Sequence, residues 1–121
     1  MKSLPQEIEV WYLIPALRRE LAKILISDFG MNQKQVSKTL EITESAVSQY
    51  LKAKRGSEIK FSEEDIKKIK ETATNIVEKG NSSQELYKLS TKFRGTEAVC
   101  DLHKKEDKTI SKNCDLCMNY H

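Results

Sequence analysis

A chain of 121 residues, 38% hydrophobic and 32% charged, has the size of one domain, or of one small domain with an appendage, and its thin core would gain from a dimer interface or a metal. The net charge of +3 is too small to mark a nucleic-acid binder by bulk charge alone. No run of about 18 apolar residues occurs, and the N-terminus lacks the basic and apolar regions of a secretory leader, so a cytoplasmic protein with no membrane partner is expected.

Residues 6–28 carry Val10, Leu13, Ile14, Leu17, Leu21, Ile24 and Leu25 at spacings of three and four, which describes one helical stripe. Pro15 removes the bond to the Trp11 carbonyl. The helix therefore either kinks there or stops and restarts with Pro15 in its first turn. Residues 8–14 are also β-prone, but the periodicity favours helix. Trp11 and Tyr12 offer more apolar surface than a three-helix motif can bury, which leaves core packing and a homodimer interface both open. Gly30 is placed as a left-handed stop before the next helix.

Residues 31–56 have the form of two short helices joined by a tight turn. Val36 and Leu40 lie one helical turn apart, Ile42 closes the corner, and Val47 and Leu51 repeat the spacing on the second helix. Thr43 is the expected N-cap between them. The outward residues of the second helix are then Ser45, Ser48, Gln49 and Lys52, hydrogen-bonding side chains of the kind that read base edges in a major groove. Lys34, Lys38, Lys52, Lys54 and Arg55 stand against Glu41 and Glu44, five cations minus two anions, so a surplus of three charges falls on this stretch. Gly56 is the expected end of the second helix.

These residues resemble the helix-turn-helix of the large Cro-type family of bacterial, phage and archaeal repressors. Gln33 stands at that family's opening glutamine, Val36 and Ser37 at its apolar-then-small pair, Ile42 at its turn hydrophobe and Val47 at its recognition-helix anchor. Glu41 stands where the family usually has glycine, and a left-handed backbone there costs about 1 kcal/mol more than with glycine. Ser37 replaces the usual alanine and stays small enough for close helix approach. Residues 10–18 (VWYLIPALR) and 46–56 (AVSQYLKAKRG) are also similar to a family of small archaeal predicted transcriptional regulators with a cysteine-bearing tail. The resemblance extends over most of the chain. It implies DNA binding and transcriptional regulation and says little about an effector.

Beyond a short polar link, Ser62 is placed to cap a helix with Asp65 reaching back, and Phe61 to staple against Ile66. That helix buries Ile66, Ile69, Ala73, Ile76 and Val77 and ends at Gly80. Ser82 and Glu85 repeat the capping pattern, with Leu86, Leu89 and Phe93 as the apolar face as far as Gly95. No segment alternates over a strand's length between turn signals. The expected fold is all-α, with about five helices in a helix-turn-helix domain over residues 1–95 and a Cys/His tail over 96–121.

In that tail, Cys100-Asp-Leu-His103 and Cys114-Asp-Leu-Cys117 are separated by ten polar and charged residues. An odd number of cysteines in a reducing compartment is not a disulfide scaffold. Two residues between ligands let both side chains face one ion, and two such knuckles complete a tetrahedron. Three readings stay open: a structural Zn²⁺ on Cys100, His103, Cys114 and Cys117, with His121 able to replace His103; an iron–sulfur cluster on Cys100, Cys114 and Cys117; or free thiols with incidental histidines.

Together these features predict a sequence-specific regulator, a homodimer on double-stranded DNA. Ser45, Ser48 and Gln49 would read bases, while Gln33, Lys34, Thr43, Lys52, Lys54 and Arg55 would contact phosphate. Metal or cluster binding in residues 100–121 would stabilise or switch that activity by ordering the tail against the helices at 62–95. The alternative is a metal- or redox-sensing adaptor that binds protein instead of DNA. An enzyme is not expected, since no nucleophile–base pair, phosphate loop or carboxylate pair stands in a recognisable setting.

Overall fold

The computed structural model describes residues 12–52 and 59–93. All the regular structure among these residues is helical: α1 (Ile14–Ser27), α2 (Gln33–Leu40), α3 (Glu44–Leu51), α4 (Glu63–Lys79) and α5 (Ser82–Phe93). The all-α expectation is met, with no strand among the described residues.

Helix α1 is central and packs against each of the other four. Its buried face is Pro15, Ala16, Leu17, Leu21, Ala22, Ile24 and Leu25. Two of these are alanines with no exposed surface, which lets neighbouring helices approach closely. Pro15 lies in the first α-helical turn, and Tyr12 and Leu13 just before it are wound as a π turn, so the winding changes at the proline. Asp28 closes it through a 2.8 Å bond from its amide to the Ile24 carbonyl, and Gly30 follows at φ 66°. Tyr12 is half-buried against the core; Trp11 lies outside the described residues.

Helices α2 and α3 are joined by Glu41, Ile42 and Thr43. A capping box opens α2: the Gln35 amide donates to Asn32 Oδ1 at 2.8 Å, and the Asn32 amide to Gln35 Oε1 at 2.9 Å. Val36 and Val47 are fully buried and Leu40 nearly so, while Ile42 and Leu51 pack against the core from its edge. Glu41 adopts the left-handed conformation, φ 58° and ψ 42°, and is the single non-glycine residue with positive φ among those described. Helix α3 ends at Leu51 with Lys52 as its C-cap, short of the expected stop at Gly56.

Helix α4 has the expected capping box, with the Asp65 amide 3.1 Å from Ser62 Oγ and the Ser62 amide 3.0 Å from Asp65 Oδ2, and it closes on left-handed Gly80. Phe61, just before the cap, meets Phe93 edge to face with ring centroids 5.3 Å apart, tying the start of α4 to the end of α5. Two expectations need correction here. Val77 is exposed, and Thr72 occupies the buried stripe with Ile69, Ala73 and Ile76. Ser82 does not cap α5: the helix starts one residue earlier, the Glu85 amide donates to the Asn81 carbonyl at 3.0 Å, and Ser82 and Glu85 turn into the bundle. A cap must keep its side chain beside the first free amides, and a residue already inside the helix and buried cannot do so.

Candidate nucleic-acid interface

The side chains of α3 divide cleanly between two faces. Val47 and Tyr50 are buried, and Ala46, Ser48 and Leu51 are half-buried. Ser45, Gln49 and Lys52 are exposed at i, i+4 and i+7, so they form one line along the outer face, about 10 Å long at 1.5 Å per residue. Ser48 sits at the margin of this line, half-covered, where the sequence placed it fully outward.

The opening of α3 is set by Thr43, whose Oγ1 accepts from the Ala46 amide at 3.0 Å. Its hydroxyl proton is left to donate outward from an exposed position. Glu44 in the first turn suits the positive end of the helix. Gln33 and Lys34 occupy the exposed first turn of α2. The Lys34 carbonyl accepts from Ser37 Oγ at 2.7 Å, which satisfies the one buried hydroxyl of α2 and explains how serine serves at that close-packed position.

Among the described residues, Lys34, Lys38 and Lys52 enter no ion pair; the pairs present are Arg19–Glu20, Lys23–Glu20 and Lys70–Asp28. Three exposed lysines against Glu41 and Glu44 give residues 31–52 a surplus of one charge. Lys54 and Arg55, which carried the remainder of the expected surplus, lie outside the described residues. So do Cys100, His103, Cys114, Cys117 and His121. No group of three or more His, Cys, Asp or Glu able to hold a metal occurs among the described residues.

Sequence reasoning missed Tyr50, which reads as an amphipathic helix residue and is 2% exposed, and Gln35, whose place three residues after Asn32 is the capping signal that would have found it. It also missed a cleft of about 230 Å³ behind the turn, lined on α1 by Ile14, Arg18 and Leu21 and on α5 by Ser82, Ser83 and Leu86 among others. No helix among the described residues is long and apolar enough to cross a membrane. No family model, curated protein or solved structure matches the chain.

Proposed function

We propose that α2 and α3 form a helix-turn-helix of the repressor type, and that the chain is a sequence-specific DNA-binding regulator acting as a symmetric dimer. The observation that carries this reading is the exposed line Ser45–Gln49–Lys52 on a helix whose opposite face is anchored by Val47 and Tyr50. A rigid helix with a polar outer line is what a major groove admits. Ser45 and Gln49 contact base edges, with Ser48 at the margin. Gln33, Lys34, Thr43 and Lys52 contact phosphate, with Lys54 and Arg55 extending that set. Gln33 and Lys34 in the first turn of α2 and Thr43 at the cap of α3 are exposed donors close to the turn, which suits a phosphate strand crossing it.

The tail belongs to the proposal on its donor set. Cys100, His103, Cys114 and Cys117 are the residue types that hold Zn²⁺, and the three cysteines those that hold an iron–sulfur cluster. An anaerobic preparation that is brown identifies the cluster; a colourless one with stoichiometric zinc identifies the ion. If the tail regulates DNA binding, changing Cys114 and Cys117 together to serine alters duplex affinity or dimerisation, and no change in either removes that part of the reading.

The central test is a titration of duplex binding with salt. Four cations on each of two protomers, Lys34, Lys52, Lys54 and Arg55, predict log K falling against log salt with a slope near −7, and Lys52→Ala lowers the slope by about 2 in the dimer. Gln49→Ala relaxes discrimination at one base pair of each half-site by about 1–3 kcal/mol. A flat salt response assigns the α3 face to a protein partner instead and favours the adaptor reading.

A further inference from the structure

Which bases α3 can read depends on which side chains its outer line presents and how they are spaced around the helix. Ser45, Gln49 and Lys52 form that line, and all three are exposed. At about 3.6 residues per turn, Gln49 stands about 40° to one side of Ser45 and Lys52 about 20° to the other. Glu44 is also exposed, but it lies about 100° round from Ser45, on the flank of the half-buried Ser48 and Leu51. The line therefore carries no carboxylate. Its one cation, Lys52, is the C-cap of α3, whereas a recognition helix meets base edges with its N-terminal residues, so the lysine is left to the phosphates. Two neutral side chains remain to face bases. The Ser45 hydroxyl both donates and accepts, so it meets any base and discriminates little. The Gln49 carboxamide holds an acceptor and a donor group side by side, and among the described residues it makes no hydrogen bond that would occupy either.

We propose that Gln49 reads adenine, so that the duplex this protein selects carries an A·T pair at one fixed position of each half-site. The inference rests on the helix-turn-helix reading. In the major groove adenine presents a donor at N6 beside an acceptor at N7; the carboxamide oxygen accepts from the first while its nitrogen donates to the second. No other base offers that pair. Guanine presents two acceptors, so the amide oxygen would face one of them, while cytosine offers a donor alone and thymine an acceptor alone. The glutamine is neutral and releases no counterion. Salt therefore lowers affinity for every duplex through the phosphate contacts and leaves unchanged the ratio between duplexes that differ only at this pair. In a symmetric dimer the two adenines stand on opposite strands, related by the two-fold axis.

The test is selection from a random duplex library by the full chain and by its Gln49→Ala variant, followed by affinity measurements on the selected duplex. Gln49 is exposed, so Gln49→Ala is expected to melt with the parent, and a change in selection then reports a lost contact. The parent is expected to prefer A·T at one position of each half-site by about 5- to 150-fold, at a ratio constant with salt, and Gln49→Ala to lose that preference alone. Replacing the adenine there by 7-deazaadenine removes the N7 acceptor and leaves the base pair intact. It is expected to weaken the parent about fivefold and Gln49→Ala not at all. A Gln49-dependent position occupied by G·C overturns the inference, as does a selection that Gln49→Ala leaves unchanged, or a 7-deazaadenine duplex that the parent binds as tightly as the natural one. In each of those cases salt-dependent duplex binding still stands, and with it the helix-turn-helix reading. Failure of the parent to select or bind any duplex overturns both.

Discussion

Glu41 concentrates the physics of the turn in one residue. Its left-handed backbone, φ 58°, brings Cβ close to the following carbonyl, and an L-residue other than Asn or Asp gains little locally to offset that. The conformation persists because the corner is held from both sides. The Ile42 amide donates to the Ser37 carbonyl at 3.0 Å, and the Ile42 side chain packs at the edge of the core. Replacing Glu41 with glycine is therefore expected to stabilise the protein by about 0.5–1 kcal/mol, the relief of the Cβ clash less the extra chain entropy of glycine. Gly80 tests the same physics with the opposite sign. Its φ is 72° and a Cβ there meets nothing within 4 Å, so Gly80→Ala has no steric neighbour to move and loses about 1 kcal/mol through the backbone alone. Urea unfolding at constant m-value checks both; a Glu41→Gly variant less stable than the parent would mean that the 3.4 Å Ser83 contact outweighs the backbone strain.

At the scale of the element, two serine-led segments with the same pattern meet different fates. Ser62 with Asp65 caps α4 from exposed positions, and Ser62→Ala is expected to lose about 1 kcal/mol as the Asp65 amide loses its acceptor. Ser82 with Glu85 has the same spacing, yet both side chains are buried and the helix already begins at Ser82. Melting the two alanine variants side by side distinguishes a capping serine from a buried one, since Ser62→Ala should fall and Ser82→Ala should not. The difference is tertiary in origin. α5 must turn Leu89 and Phe93 toward α1 and Phe61, and that rotation carries Glu85 and Ser82 inward with them, one and two turns before Leu89 on the same face.

For the whole molecule, α1 decides cooperativity because every other described helix leans on it. Leu17, at the end of its first turn, has no exposed surface, so Leu17→Ala is expected to cost about 2–5 kcal/mol. The loss should appear as one transition seen alike by circular dichroism and by intrinsic fluorescence, since no described element has a core of its own. A variant that melts α2–α3 separately from α4–α5 would show that the bundle is less coupled than this packing implies. The ion pair Lys70–Asp28, which joins α4 to the end of α1 at 3.8 Å, is about half-exposed at both ends and adds little to that coupling.

Much of the fold could be read without coordinates. The periodic spacing of Leu17, Leu21 and Leu25, of Val36 and Leu40, and of Ile69 and Ile76 depends only on 3.6 residues per turn. Thr43, Ser62, Gly30 and Gly80 act through their own backbones and nearest neighbours. Local rules suffice for such features because the energies involved arise within one turn of helix. The outer line Ser45–Gln49–Lys52 was legible for the same reason, being what remains once Val47 is turned inward. Other features belonged to the tertiary structure alone. Which serine caps, why Thr72 is buried while Val77 is not, and the meeting of Arg18, Glu41 and Ser82 around one cleft all depend on the rotation of each helix against its neighbours. That rotation is set by packing among residues far apart in sequence, where the contacts that decide it are made and no local pattern records them.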